Sequence, residues 1–340
     1  MERNKYIIVL GAGKGYRMES LNENYSKVAY PILGKPLINY VLDAAKPLNA
    51  KKTIVVVGFG KEQTIKSVQG QAEIVEQKEV IGTGHAVMQA MPKLENEDGD
   101  VFILCGDTPL LTTDTLNKIY HKHVRQGNAL TICSTVIANP TGYGRVIREK
   151  GSYRLLEVRP YAEINDEEKE LEEINSGIYI VDLKLLKQTL PLLSKDNKKN
   201  EYYLSDIVKI LSEQGHQIDA FVLEDPEDIY NINDRVQLAY AGKVLRKRIN
   251  QKLMYYGVSI EDPETTYISP NTVIGKDTVI KPNTSIIGES IIGYNNIIGP
   301  NAYLEHVKIG NNNLIPSVYL KDVEIKDNEI VEPFTGIKKC

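Results

Sequence analysis

Apolar and polar positions along the chain fall into two regimes. Through the first two thirds, short runs rich in Val, Ile and Leu at 6–10, 53–58, 72–77, 100–106 and 129–138 predict buried strands. Helical spacing near 37–48, 62–69, 83–94 and 112–126 predicts helices between them, the last opened by the capping side chains of Thr112-Thr113-Asp114. Alternation of this kind implies a largely parallel sheet with helices on both faces. The stretch 143–158 then reads as a hairpin. After it comes an acidic segment, 165–170, read as a solvated helix or loop. A strand at 178–181, helices at 183–193 and 202–214, and a strand at 218–224 complete the regime. Apolar positions from Val236 to Leu253 predict a long connecting helix over 234–256, stopped at Gly257.

From about 268 the period becomes six. Ile274, Ile280, Ile292, Ile298, Ile309 and Ile325 each open a hexapeptide whose other places hold Gly, Asn, Asp, Pro and Thr. An aliphatic at every sixth place is the signature of a β-solenoid, where it points inward at each turn and the small residues form the corners. A run of hairpins would not hold that phase. The expectation is about four coils of three hexapeptides each.

Composition changes this picture little. A formal net charge of −4 gives no electrostatic reason to expect nucleic acid or membrane as partners. No apolar run is long enough to span a bilayer, and residues 1–5 lead into a strand without a signal-peptide pattern, so the expected location is cytoplasmic. Cys105, Cys133 and Cys340 are too scattered for a disulfide framework or a zinc site, and the first two read as small core residues. His121 and His123, two apart on a predicted helix, face different ways and do not suggest a metal site.

The chemistry is concentrated after the first strand, in Leu10-Gly11-Ala12-Gly13-Lys14-Gly15-Tyr16-Arg17. Alternating glycines let a ligand approach the backbone, exposed amides form an anion nest, and Lys14 and Arg17 add two positive charges. Tyr16 stands where a dinucleotide fingerprint needs its third glycine, and Gly15 follows Lys14 where a Walker loop needs Ser or Thr. The loop is a phosphate site by its chemistry. An ordinary strand-to-helix turn with solvated basic residues could carry the same glycines, so the rest of the chain decides.

That loop, followed by Ser26-Lys27-Val28 and Gly34-Lys35-Pro36, resembles the signature of sugar-1-phosphate nucleotidylyltransferases. The resemblance is nearest to the N-acetylglucosamine-1-phosphate uridylyltransferases that form the amino-terminal half of a bifunctional bacterial enzyme. Gly82-Thr83-Gly84-His85-Ala86, Gly106-Asp107-Thr108-Pro109-Leu110, Gly142-Tyr143-Gly144-Arg145 and Glu173-Ile174-Asn175-Ser176-Gly177 extend it. Glu201-Tyr202-Tyr203 through Asp206 and Asn231-Ile232-Asn233-Asp234-Arg235 complete the ordered set over roughly 5–335. So many matches in order are far more specific than one glycine motif.

The resemblance implies a Rossmann-like α/β nucleotidyltransferase domain with a mostly parallel sheet over 1–228. A linking helix would follow over 229–257 and a short left-handed parallel β-helix over 258–340. It also implies roles. Leu10, Gly11, Ala12 and Gly13 would wrap the UTP triphosphate, with Lys14, Arg17 and Lys27 as the catalytic cations. Gln77 and Gly82 would read the uracil, and Thr83 would join the substrate contacts. Gly144, Glu157 and Asn175 would hold the sugar and ribose hydroxyls. Asp107 and Asn233 would bind Mg²⁺, an oxygen-ligand site shared with phosphate.

The implied reaction joins UTP and N-acetylglucosamine-1-phosphate into UDP-N-acetylglucosamine and pyrophosphate. Solenoids of this type pack as trimers, so a homotrimer through 258–340 is expected. The repeats cover only about 60 residues and hold His306 as their one histidine, so acetyl transfer is not expected. Departures from the family pattern, Ser26, Tyr16, Ala29-Tyr30 and Val158-Arg159-Pro160-Tyr161, leave the phosphate chemistry intact and bear on the sugar. Two other readings stand beside this one: a uridylyl- or thymidylyltransferase for another sugar phosphate, and a non-catalytic assembly or regulatory subunit of the same architecture. The presence of Lys14, Arg17, Lys27 and Asp107 counts against the last.

Overall fold

The computed structural model describes residues 3–20 and 25–338; Cys340 lies outside them. The chain divides into two compact units, one of Met1–Tyr30 with Pro36–Arg235 and one of Pro31–Lys35 with Val236–Cys340.

The first unit is built on one nine-stranded sheet. Its strands are β1 (Lys5–Gly11), β2 (Lys52–Val57), β3 (Glu73–Glu76), β4 (Asp100–Cys105), β5 (Leu130–Val136), β6 (Arg145–Arg148), β7 (Leu155–Arg159), β8 (Glu173–Asp182) and β9 (Ile218–Leu223). The order β9-β5-β8-β4-β1-β2-β3 is parallel except at β8, which runs antiparallel to both β4 and β5. The β6–β7 hairpin pairs onto β8 beside that path.

Both faces are covered, which is why the strands read as continuous apolar runs. Alternation in β1 sends Tyr6 and Ile8 into one core and Ile7 and Val9 into the other. The first core packs on α3 (Thr83–Ala90), α5 (Leu183–Thr189) and α6 (Asp206–Glu213) through Val87, Leu186 and Val208. The second packs on α1 (Leu37–Ala45) and α4 (Thr113–Gln126) through Val41 and Ile119. Each of these buried aliphatics is worth about 1.5–3 kcal/mol. The Thr112 hydroxyl caps α4 by accepting from the Thr115 amide at 3.2 Å.

Two elements differ from the sequence pattern. The helix expected from 202 begins only at Asp206, because the backbone of Tyr202 is engaged elsewhere. Its N–H donates to Ile81 O (2.9 Å) and its carbonyl accepts from Gly84 N (2.8 Å). The strand expected at 178–181 is the ten-residue β8, whose register on β5 shifts between Asn175 and Tyr179, where Gly177 has φ 82°.

The second unit is a short left-handed parallel β-helix that follows the helix α7 (Arg235–Tyr255). Strands of two or three residues stack into three parallel sheets of four, five and four. Ile274, Ile280, Ile292, Ile298 and Ile309 fill its interior as the six-residue period requires. The corners are left-handed residues, mainly Asn and Asp, for which that conformation costs least. Side-chain bonds stack these corners from coil to coil, as in Asn295 to Asn312 (2.9 Å) and Asn312 to Asn328 (3.2 Å). The first coil, through Ser259–Ile260 and Tyr267–Ile268, precedes the regular phase. A turn braced by Asp262, which accepts from Glu264 N and the Thr265 hydroxyl, interrupts the pattern there. Residues 31–35, inside the 1–228 segment of the sequence division, group with this unit; the Ser269 hydroxyl donates to Leu33 O at 2.5 Å.

Candidate functional site

The carboxyl ends of β3, β2, β1 and β4 lie side by side, the edge where ligands bind in such sheets. The turns leaving these strands enclose two cavities of about 510 and 550 Å³.

The first cavity is framed by the glycine loop. Leu10, Gly11, Ala12, Gly13, Lys14 and Lys27 line one side, with Gln77, Gly82, Thr83 and Asp107 opposite. Gly13 has nothing within 4 Å of where a Cβ would stand, so its backbone is open to a ligand. Gly15 is needed differently: at φ 61° its Cβ would lie 2.7 Å from Lys27 Cβ, so the glycine lets the lysine stem pack against the loop. Tyr16 is exposed and lies beneath the Lys14 ammonium, 5.7 Å from the ring centre.

Lys27 lies at the heart of the charge arrangement. Its ammonium pairs with the Asp107 carboxylate and donates to Asn233 Oδ1 at 3.1 Å. Asn231 Nδ2 donates to the other Asp107 oxygen at 3.1 Å, and Ile232 N to the Asp107 carbonyl at 2.9 Å. Asp107 and Asn233, proposed from the sequence as metal ligands, therefore aim their oxygens at one cationic point. An ammonium held between a carboxylate and an amide oxygen shows a donor set that accepts a hard cation, and Mg²⁺ fits it.

On the far wall, buried Gln77 spends its amide N–H bonds on Gly82 O and His85 Nδ1, both 3.0 Å. Gly82 opens α3 at φ 109°, and a Cβ there would stand 2.3 Å from Tyr202 O. The Thr83 hydroxyl accepts from Leu204 N at 3.1 Å, fixing the segment 201–204 over the helix start.

The second cavity shares Leu10, Thr83 and Tyr203 with the first and adds Arg17, Gly144 and Asn175. Asn175 donates its amide to the Tyr179 hydroxyl at 2.8 Å, while its Oδ1 is buried with no partner among the described residues. A buried acceptor left open on a cavity wall points to a ligand hydroxyl. Gly144 O accepts from Asn175 N (3.0 Å), so the two sites lie on adjoining backbones.

Glu157 is not brought into either cavity. Its carboxylate pairs with Arg159, which also reaches Glu168 Oε1 at 3.4 Å, and it lines a neighbouring recess of about 430 Å³. Asp206 and Glu163 share that recess. Burial, with Glu157 and Glu163 nearby and Lys209 opposing, raises the Asp206 carboxyl to about 6.

Some functional positions were misread or missed in the sequence. Cys105, read from the sequence as a core residue, ends β4 half-buried and lines both cavities. Burial and the Asp107 charge push its thiol up to about 12, so it is a neutral wall group. Cys133 is fully buried, as its apolar run suggests. Arg145 is buried too, donating to Pro140 O (2.7 Å) and Tyr143 O (2.5 Å), which fixes the loop that carries Gly142 and Gly144. Burial lowers its pKa. Its place in the motif Gly142-Tyr143-Gly144-Arg145 was the available signal. His123 is buried, with Nδ1 3.0 Å from the Thr131 hydroxyl; no cluster of three or more His, Cys, Asp or Glu suited to a metal occurs among the described residues. Nor is any described helix long and apolar enough to cross a membrane.

Comparison with known proteins agrees with this architecture. The sequence model of the family described as Nucleotidyl transferase matches residues 6–241, and that of the Bacterial transferase hexapeptide (six repeats) matches 271–306. "Bifunctional protein GlmU" of Caldanaerobacter subterraneus subsp. tengcongensis is 44% identical over 304 residues, 89% of this chain and 65% of that protein. The protein of the same name from Geobacillus sp. (strain WCH70) is 40% identical over 334 residues, 98% of this chain and 72% of that protein. The chain thus spans about two thirds of the length of these relatives. A UDP-glucose pyrophosphorylase structure complexed with UDP-glucose superposes with a TM-score of 0.58 at 19% identity, covering 72% of this chain and 99% of that one, and it bears on the fold. With the glycine loop, the Lys27–Asp107 pair and the hexapeptide coils in their order, the chain belongs to the nucleotidyl transferase family, in the form that carries a hexapeptide-repeat unit.

Proposed function

We propose that the chain transfers a uridylyl group from UTP to N-acetylglucosamine-1-phosphate, giving UDP-N-acetylglucosamine and pyrophosphate, with Mg²⁺ and without acetyl transfer. The observation that carries this reading is the convergence of Lys27, Asp107 and Asn233 beside the open glycine loop and a second, sugar-sized cavity.

A phosphate oxygen of the sugar-1-phosphate attacks the α-phosphorus of UTP in line. The bond to the β-phosphate oxygen breaks and pyrophosphate leaves; no covalent enzyme intermediate forms. Two polyanions must be brought together, so positioning and charge neutralisation carry the catalysis. Lys14 and the amides of Leu10 to Gly13 cradle the triphosphate, while Arg17, on the wall of the second cavity, faces the acceptor side. Lys27 neutralises charge at the α-phosphate. Asp107 and Asn233 would hold Mg²⁺, which would supply positive charge to the phosphate oxygens.

Gln77, its N–H groups used internally, has its carboxamide oxygen left to accept from a uracil N–H, with the Gly82 amide as the complementary donor. Asn175 Oδ1 and the Gly144 backbone take sugar or ribose hydroxyls, and Thr83 closes the wall between the cavities. Glu157 joins them by turning from its recess toward the sugar.

Residues 1–228, joined by Asn233 from the start of the linking segment 229–257, carry this chemistry, and 258–340 assemble. Outward-facing Val273, Ile291, Ile297 and Leu314 on the solenoid are apolar enough to support a homotrimer. His306, a corner residue at φ 51° whose Nδ1 accepts from Glu289 N at 3.3 Å, is the solenoid's one histidine and is no base for acetyl transfer. A cytoplasmic location accords with substrates of this kind.

The test is pyrophosphate release across a panel of nucleoside triphosphates and sugar-1-phosphates. Fastest release with UTP and N-acetylglucosamine-1-phosphate is expected; preference for another pair reassigns the substrate, and no release with any pair removes the reading.

A further inference from the structure

We propose that Lys199 is an acceptor-binding residue, contacting the anionic sugar phosphate in the second cavity; the proposal rests on the transferase reading above.

The cavity of about 550 Å³ is lined by two cations, Arg17 and Lys199, and by no carboxylate. The rest of its wall is backbone, amide, hydroxyl, the neutral Cys105 thiol and apolar side chain, so no negative charge there offsets the two cations. A partly enclosed space of that kind favours an anion over a neutral sugar. Glu157, the carboxylate expected near the sugar, faces the neighbouring recess and is paired with Arg159.

Lys199 differs from its neighbours in the same basic loop. The Lys198 ammonium donates to Ala162 O at 2.8 Å, and that of Lys195 lies 5.6 Å from the Tyr202 ring centre. The Lys199 ammonium has no hydrogen bond or ion pair among the described residues. Its backbone is nevertheless fixed. Asn197 Oδ1 accepts from both Lys199 N and Glu201 N at 3.2 Å, and Asn197 Nδ2 donates to Glu201 O at 2.7 Å. The loop is braced by one side chain and presents one uncommitted cation to the cavity. A lysine there acts as a flexible point charge, suited to a phosphate monoester whose position shifts during transfer.

The sequence shows three lysines in this loop and does not say which is used. Only the fold separates the committed pair from the third.

Steady-state kinetics of Lys199→Gln, Lys199→Arg and Lys198→Gln test this with UTP and N-acetylglucosamine-1-phosphate at low and high salt. Lys199→Gln is expected to raise the acceptor KM about tenfold, with kcat and the UTP KM within about twofold, as befits loss of binding shared by ground and transition states. Lys199→Arg should restore most of it, Lys198→Gln should change nothing, and added salt should shrink the Lys199→Gln effect. An unmoved acceptor KM overturns the proposal, and so does an equal rise in Lys198→Gln or in the UTP KM. If the unmodified protein shows no turnover, the transferase reading fails separately. Calorimetric titration with N-acetylglucosamine-1-phosphate and neutral N-acetylglucosamine then decides: a loss confined to the phosphate ester in Lys199→Gln supports Lys199, and equal binding overturns it.

Discussion

The ammonium of Lys27 and the carboxylate of Asp107, 80 residues apart in the chain, form one ion pair at the carboxyl edge of the sheet. Gly15 lets the lysine stem pack against the loop, and the turn after β4 delivers the aspartate. From the segment before α7, Asn233 accepts a second bond from the ammonium and Asn231 donates to the other carboxylate oxygen. A cation therefore rests where the proposed metal ligands point.

Removal of that ammonium should separate catalysis from metal binding. Lys27→Gln is expected to lower turnover by about 10²–10³-fold, the usual cost of one transition-state charge donor. The same variant, free of nucleotide, should bind Mn²⁺ more tightly than the unmodified protein, because the competing ammonium is gone. Electron paramagnetic resonance titration reads this directly. Weaker Mn²⁺ binding in Lys27→Gln, or undiminished binding in Asp107→Asn, would show that the metal uses other ligands.

Gly13 and Gly82 both face the first cavity, yet alanine should act on them in different ways. At Gly82 a Cβ adds backbone strain at φ 109° and a 2.3 Å clash with Tyr202 O, so Gly82→Ala should cost about 1–3 kcal/mol in urea unfolding. It should also displace Tyr203 and raise both substrate KM values. At Gly13 a Cβ meets nothing within 4 Å, so stability should hold within about 0.5 kcal/mol while nucleotide affinity falls. Equal loss of stability in the two variants would contradict this account.

The sequence disclosed features whose cause is local. The glycine loop follows its strand in sequence, Thr112 caps a helix three residues on, and the hexapeptide phase repeats along one coil after another. Features made by distant closure were less legible. Lys27 and Asn233 are 206 residues apart, and no spacing shows that they meet. Apolar periodicity started the last sheet-covering helix at 202 since it cannot see the Tyr202 backbone bonded to Ile81 and Gly84. Cys105 completes an apolar run and so looks like core; standing last in β4, it reaches the cavity walls with its sulfur packed against Gly177. Glu157 was placed with the sugar by motif alone, and its pairing with Arg159 depends on the local course of β7.

Asp206 gives stability a pH dependence. Its carboxyl titrates near 6 in the fold, chiefly through burial, against 3.8 for the ordinary group. The folded state thus binds more protons than the unfolded one between these values, and the contribution of Asp206 turns unfavourable as pH rises through them. Asp206→Asn should therefore stabilise the protein at pH 7.5, by about 1 kcal/mol once screening of this half-exposed group is allowed for, and make no difference below pH 4. Urea midpoints across that range provide the measurement. A constant offset at every pH would assign the effect to the N-terminal turn of α6 instead of to the charge.

Glu157 and Arg159 should act as a unit. The guanidinium holds the carboxylate in the recess, braced on its other side by Glu168 at 3.4 Å. Sugar binding through Glu157 requires that this pair loosen, since the pair keeps the carboxylate in the neighbouring recess. Glu157→Gln is expected to raise the acceptor KM several-fold and leave the UTP KM unchanged. Arg159→Met should lower the acceptor KM, because the carboxylate no longer has to leave its ion pair to turn toward the sugar. The double variant should be no better than Glu157→Gln alone, since Arg159 acts only through the group already removed; a coupling energy of about 1 kcal/mol would be in the range for residues in contact. Strict additivity in the double-mutant cycle would mean that Arg159 contacts the acceptor independently, and an unaltered acceptor KM in Glu157→Gln would leave the recess as its permanent position.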